Sequence, residues 1–276
     1  MRIRGRSLPV LGGSAPPPKM LGVFSGAVVS PPEELIRASH RTPTAMKTAD
    51  KLLDAFLKNN PSSVAINIGS AARISYNHQN QSLLQPRSFA VSDEIFCLFK
   101  GTLENLPSLK HHYGLGKNAS EVVLVMEAYR ALRDRAPYPT NLMLAHLAGN
   151  FAFIVFDNVT STVFAASDGD GKVPLFMGIT ADGYLAFSDD AEELRSACGK
   201  SLASFPPGCF LSTSTGLRSY EHPKNKVTAL PAMEEEIWGT TFKVAWDCSI
   251  CHRKQNNRLF LNSISRSIDS TKWIAG

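Results

Sequence analysis

No stretch of this chain approaches the ~18–20 consecutive apolar residues that a membrane-spanning helix needs, so such a helix is excluded and a soluble protein is expected. There is no Walker or Rossmann glycine pattern and no internal repeat. The first absence removes the usual phosphate-cradling loops, the second removes solenoids and propellers. Cysteine is sparse and odd in number: Cys97, Cys198, Cys209, Cys248 and Cys251. With no apolar secretory segment in view, a disulfide framework is not expected. Cys97, inside Ile95-Phe96-Cys97-Leu98-Phe99, reads as a small core residue on a strand. Acidic residues are missing from the first 19 positions, where Arg2, Arg4, Arg6 and Lys19 give an excess of +4. Residues 245–276 carry a further +3, so the formal +5 of the whole chain leaves −2 on residues 20–244. The basic excess sits in two tails, not in a stripe on a folded face, which argues against nucleic acid as a partner.

The first tail is rich in arginine, glycine and proline. It reads as a disordered leader or a misassigned start, with Met20 as the natural beginning. A transit peptide is the rival reading, opposed by Pro16-Pro17-Pro18, which resists an amphipathic helix. The expected compartment is the cytosol, with or without the nucleus; a plastid or mitochondrion applies only if the leader is a transit peptide. In the second tail, Cys248-Ser249-Ile250-Cys251-His252 fits the spacing of covalent haem attachment. It stands in a basic, polar segment with no export signal, so no haem and no other cofactor is expected. His111-His112 are adjacent and point about 100° apart on a helix, so no metal site is expected either.

What remains is a 225-residue stretch, 20–244, with 43% hydrophobic residues in the chain to build a core. It is organised around residues 141–190. Four apolar runs, FAFIVFD, TVFAASD, VPLFMGI and GYLAFSD, are separated by turn residues and read as antiparallel strands of one sheet with tight connections. Their apolar residues are near-continuous, which predicts burial on both faces. Elsewhere, residues 21–25, 64–68, 73–77, 88–91, 94–100, 210–213, 217–220, 227–231 and 238–244 read as strands. Helices are expected over 48–57, over 103–112 broken by Pro107, from Ser120 as a side-chain N-cap to about Arg135, and over 190–197 capped by Asp189 or Asp190. Gly149 is expected to close the short helix before FAFIVFD with a positive φ. Arg133-Asp134-Arg135 lies at a helix C-terminus, where cations complement the helix dipole; a salt-bridge cluster fixing the helix end or a subunit contact is expected there.

Four pieces stand in order: Leu147-Ala148-Gly149-Asn150-Phe151-Ala152-Phe153; Ala166-Ser167-Asp168 with Gly171-Lys172-Val173-Pro174-Leu175; Phe187-Ser188; and Pro207-Gly208. Through these the chain resembles the glutaminase domain of class II glutamine amidotransferases, the asparagine-synthetase type. Tyr113-Gly114-Leu115 and Leu132-Arg133-Asp134-Arg135 add a narrower likeness. Residues 20–244 resemble the plant family of aluminium-induced proteins with YGL and LRDR motifs, which includes the stem-specific proteins. The resemblance implies an α+β fold, the four-layer α-β-β-α sandwich of Ntn hydrolases, and a role in stress or hormone responses.

It also implies where the chemistry should lie. In the amidotransferase domain a cysteine following the initiator Met becomes the N-terminal residue and attacks the glutamine amide, its own amine acting as base. Here Met20-Leu21-Gly22-Val23-Phe24 matches the frame Met-Cys-Gly-Ile-Phe, and Leu21 takes the nucleophile position. An Asn-Gly-Glu motif supplies the oxyanion donors; Lys100 stands at the Asn and Gly101 is kept. The glutamine ammonium is held by an Asp, whose position falls on Ala119 in Asn118-Ala119-Ser120-Glu121-Val122. Leu21, Gly22, Lys100, Gly101, Ala119, Ser120 and Glu121 are therefore the pocket candidates, with the catalytic parts expected to be lost. The expectation is a pseudoenzyme that binds a protein partner or small ligand, with a homodimer admitted by the flat sheet edges and the closing arm of residues 227–231 and 238–244. The alternative is an amidotransferase-like hydrolase with a non-cysteine nucleophile.

Overall fold

The computed structural model describes residues 19–40, 46–77, 88–135, 138–231 and 240–245. In chain order the elements are β1 (Met20–Phe24), α1 (Glu33–Ser39), α2 (Ala49–Asn59), β2 (Ser63–Ile68), β3 (Ala72–Asn77), β4 (Phe89–Ser92) and β5 (Ile95–Leu103). Three helices follow, α3 (Leu106–His112), α4 (Glu121–Asp134) and α5 (Thr140–Ala145), then β6 (Gly149–Asp157), β7 (Thr162–Ser167), β8 (Phe176–Ile179) and β9 (Leu185–Ser188). The described chain ends with α6 (Ala191–Cys198), β10 (Ala203–Ser204), β11 (Cys209–Ser212), β12 (Gly216–Ser219), β13 (Lys226–Pro231) and β14 (Thr240–Ala245).

The strands form two sheets, β13-β14-β10-β8-β9-β1-β3-β2 and β12-β11-β7-β6-β5-β4. Alternation along each strand decides how they stack. On β1, Met20 and Phe24 join Ile74 and Phe187 of their own sheet and Leu98, Ile154 and Phe156 of the other in an inter-sheet core. Phe24 lies 5.7 Å from Phe156 and 6.1 Å from Phe187, centroid to centroid. The intervening Leu21 and Val23 point the other way, into a cluster with Leu52 and Phe56 of α2 and Leu194 and Ala197 of α6. On β5 and β6, Phe99, Phe153 and Val155 face outward against Val122, Val125 and Met126 of α4 and Met143 and Leu144 of α5. The result is helix, sheet, sheet, helix: the four-layer α+β sandwich. The middle of each strand, Phe151–Phe156 in β6 and Val163–Ala166 in β7, is apolar without a break because each face meets a layer, the other sheet inside and helices outside.

The four runs of residues 141–190 do not share one sheet. Strands β6 and β7 pair in the six-stranded sheet, β8 and β9 in the eight-stranded one. The chain crosses between sheets after Asp168, so the connection there is not a hairpin. Asp168 organises the crossing: its carboxylate accepts from the Phe151 and Lys172 amides at 3.0 and 3.3 Å, and its carbonyl from Gly171 and Gly208. Three further expectations are corrected. Gly149 has the positive φ (134°), but it opens β6 instead of closing a helix; a Cβ there would lie 2.3 Å from the Thr102 carbonyl oxygen. Pro107 sits in the first turn of α3, where its missing N–H costs nothing, and does not break the helix. Ser120 occupies the N-cap position of α4, yet its hydroxyl makes no cap bond; Oγ is buried with no hydrogen-bond partner. Asp190 does cap α6, accepting from the Glu192 amide at 3.0 Å. Trp238 and the Cys248–His252 motif lie outside the described residues. Among the described residues no helix is long and apolar enough to cross a membrane.

Candidate functional site

The end of the inter-sheet core where β1 begins is where the aligned positions should meet. Lys100 stands on the inner face of β5, because Phe96 and Leu98 point inward and Ile95, Cys97 and Phe99 outward. Its ammonium crosses from the six-stranded sheet to Asp189, at the end of β9 in the other sheet, and forms an ion pair with that carboxylate. The Asp189 side chain is 1% exposed, that of Lys100 22%. The second Asp189 oxygen accepts from the Met20 amide at 2.9 Å, and Ser188 Oγ donates to the Met20 carbonyl at 3.1 Å. So one carboxylate, Asp189, fastens both the start of β1 and the far sheet's lysine.

A second ionic group adjoins it. Lys19 donates to Asp190 at 2.9 Å and to Glu193 at 3.3 Å. Glu193 is buried and also accepts from Asn59 and Asn60 at the end of α2. Burial disfavours the Lys19 ammonium, but its bonds to Asp190 and Glu193 outweigh that and raise its pKa. Burial likewise opposes the Asp190 carboxylate; Lys19 and the Glu192 amide outweigh it and hold that carboxyl below the ordinary value. Two lysines therefore face three carboxylates around the first residues of β1.

The other candidates are dispersed. Leu21 is fully buried, with its side chain on the helix side of the sheet, opposite the inter-sheet face. Its backbone lies within a ladder with both Ser75 and Ser188. Gly22 is the inward position next to it; a Cβ there would meet the Phe24 ring at 3.0 Å and Ile154 at 3.6 Å. Gly101 has φ 123°, and an added Cβ would lie 2.1 Å from the Asn150 carbonyl oxygen, so close passage of β6 alone demands glycine. Ala119, Ser120 and Glu121 lead into α4, which covers the outer face of β5, whereas Lys100 is on the inner face. The structure thus joins Lys100 to Asp189 and the start of β1, and sets Leu21 and the 119–121 turn on other surfaces. Sequence alone offers Asp189 and Asp190 only as caps of α6 and misses Lys19 and Glu193. The adjacent acids after Phe187-Ser188 were the available signal, but nothing in their spacing points 89 residues back to Lys100.

The two motif segments fall in the outer helical layer. Tyr113, Leu115, Leu132 and Tyr138 all pack against the outer cluster beside α4. Burial, with a hydrogen bond to Tyr138, pushes the Tyr113 phenol up to about 12. Arg133 bonds Asp134 at 2.7 Å and the fully buried Asp157 at 3.1 Å. Those two carboxylates raise the Arg133 pKa. Burial opposes the charge on Asp157; the Thr160 amide and Arg133 outweigh it and lower its pKa. Tyr129 adds a bond at 3.3 Å, so the end of α4 is tied to the end of β6. That is a salt-bridge cluster fixing a helix end.

A family model described as "Aluminium induced protein" matches residues 21–244. The chain belongs to the aluminium induced protein family. This family member is 38% identical over 148 residues to the stem-specific protein TSJT1 of Nicotiana tabacum, covering 53% of the chain and 99% of that protein. It is also similar to asparagine synthetases named as glutamine-hydrolyzing. Identity is 40% over 78 residues with enzyme 2 of Oryza sativa subsp. japonica and 26% over 161 residues with asparagine synthetase B of Escherichia coli. These matches cover 28% and 57% of the aluminium induced protein but only 13% and 25% of the synthetases. Among solved structures, glutamine phosphoribosylpyrophosphate amidotransferase from B. subtilis overlays 72% of the chain and 48% of its own, with 12% identity and a TM-score of 0.46.

Proposed function

We propose that this aluminium induced protein keeps an amidotransferase-like sandwich whose catalytic end has been closed by its own side chains, and that it acts by binding a partner or small ligand instead of hydrolysing glutamine. The observation that carries the reading is the Lys100–Asp189 pair. At the position aligned with an oxyanion donor, a lysine spends its ammonium on a buried carboxylate of the opposite sheet. A donor engaged in that way is not preorganised for a developing oxyanion. Two more observations support it. The aligned nucleophile is a leucine whose side chain belongs to the helix layer. Met20, Leu21, Gly22 and Gly101, the aligned residues at this end besides Lys100, carry no nucleophilic group.

The test is covalent trapping. An electrophilic glutamine analogue, such as a diazoketone, alkylates an active glutaminase nucleophile. Incubated with the purified chain, it is expected to leave the intact mass unchanged, and glutamine is expected to give no heat in a calorimetric titration. A single stoichiometric adduct mapping to β1 or β5 would restore the hydrolase with a non-cysteine nucleophile.

A further inference from the structure

Among the described residues four strands end the two sheets, and three of them carry devices that discourage pairing. Strand β13 contains Lys226 and Pro231; β12 has only four residues, among them Gly216 and Arg218; β4 also has four and is closed by Asp93, which Arg130 holds at 2.7 Å. Strand β2 has none of these. Its sequence, Ser63-Val64-Ala65-Ile66-Asn67-Ile68, has no charge and no proline, and it pairs with β3 without a bulge. Among the described residues nothing pairs with its outer side.

The pairing pattern fixes which backbone groups that edge offers. The Asn77 amide donates to the Lys19 carbonyl, so Asn77 faces β1. By alternation Tyr76, Ile74 and Ala72 face β2, and their partners Val64, Ile66 and Ile68 face β3. The outward groups are then those of Ala65 and Asn67, while the Ser63 amide is already bonded to the Asn60 carbonyl. Two residues with free N–H and C=O, spaced by one, match their own copy in antiparallel orientation. Ala65 meets Asn67 of a second copy and Asn67 meets its Ala65, which gives four backbone hydrogen bonds about a two-fold axis through Ile66.

The same register aligns the side chains. Ile66 falls opposite Ile66, and Val64 opposite Ile68, on the face that continues the inter-sheet core. Val64 is 37% exposed, and Ile66 and Ile68 are only partly buried. Opposite β-branched pairs of this kind stabilise neighbouring strands. With no ionisable residue in β2, no like charges meet. We propose that β2 pairs with β2 of a second copy, making one continuous sixteen-stranded sheet centred on Ile66.

The test uses the full chain with Cys248→Ser and Cys251→Ser to silence the tail thiols. Sedimentation equilibrium, run from low micromolar concentration to the solubility limit, is expected to move from the 30.0 kDa monomer toward twice that mass. Asn67→Pro removes an outward N–H and leaves the bonds to β3 in place, so it is expected to hold the protein at monomer mass. In a separate variant, Ile66→Cys puts two thiols at a non-hydrogen-bonded pair, with Cα atoms about 4.5 Å apart, inside disulfide range. Mild oxidation is expected to give a covalent dimer through that residue, whereas Val91→Cys, on the β4 edge, gives none. Monomer mass at every concentration overturns the proposal. So does a dimer that survives Asn67→Pro, or that yields no Ile66→Cys disulfide; if the proline variant does not fold, the cysteine result decides.

Discussion

Replacing Lys100 with methionine tests the closed site where it is most vulnerable. Methionine fills much of the lysine stem's volume and removes the charge. Asp189, with a side chain 1% exposed, would then hold a carboxylate whose one ionic partner among the described residues is gone. Breaking a buried pair by removing one member costs about 3–5 kcal/mol. Two features of the site reduce that here. Lys100 keeps 22% of its side chain in contact with solvent, and Asp189 retains the Met20 amide at 2.9 Å. A loss of about 2–3 kcal/mol is therefore expected, read as a lower urea midpoint with an unchanged slope. For a domain of this size it corresponds to a fall of about 4–12 °C in melting temperature. The partner substitution gives the sign. Asp189→Asn keeps an acceptor for Met20 and removes the charge, so adding it to Lys100→Met is expected to recover most of the loss. The double-mutant cycle should show a coupling of about 1–3 kcal/mol. If Lys100→Met changes stability by less than about 0.5 kcal/mol and the cycle shows no coupling, the pair does not close the site.

Arg133→Met removes the cation facing fully buried Asp157 and is expected to cost about 2–4 kcal/mol in chemical denaturation, whereas Arg135→Met, at an exposed position, stays within about 0.5 kcal/mol. Asp157 and Asp190 both have depressed pKa values in the fold, so their contribution is present above the ordinary carboxylate range and is lost as pH falls through the folded values. Lys19 is raised, so its contribution holds below the ordinary lysine value and is lost only as pH climbs past the folded one. Because Lys19 and Asp190 are each about a third exposed, removing that pair should move stability by only about 0.2–1 kcal/mol, and a pH series of melting curves checks both limbs. Gly149→Val and Gly171→Val each force a side chain into a positive φ, against the Thr102 carbonyl in one case and 2.7 Å from Pro207 Cγ in the other; each is expected to lower stability by about 1–3 kcal/mol in urea.

Much of this architecture could be read from the residues, and the places where reading stopped share one cause. Near-continuous apolar strands such as FAFIVFD announce burial on both faces, and the sandwich provides it. The same feature hides which face is which. In Met20-Leu21-Gly22-Val23-Phe24 every residue suits a core, so period-two alternation cannot say whether Leu21 or Gly22 faces the other sheet. Only the packing settles it: Met20 and Phe24 face the other sheet and Leu21 and Val23 the helices, which turns Gly22 inward. The split of four consecutive strands between two sheets was hidden likewise, because Gly169-Asp170-Gly171 reads as a turn whether the chain returns or crosses. The Lys100–Asp189 pair joins residues from different sheets, and no local pattern carries such a contact. Asp190 as a helix cap, by contrast, was legible because a cap is a contact between neighbours in sequence.

Ammonia release from glutamine tests the central claim most directly: that the aluminium induced protein keeps the amidotransferase-like sandwich without its chemistry. The assay should compare the full chain, a chain beginning at Met20, and a Met20 form carrying Leu21→Cys. All three are expected to stay at the buffer rate. Leu21→Cys places the thiol on the helix side of the sheet and leaves Lys100 and Ala119 unchanged. Steady turnover by the unmodified chain, abolished by Lys100→Met in protein that remains folded, would contradict the account and make Lys100 part of a working site.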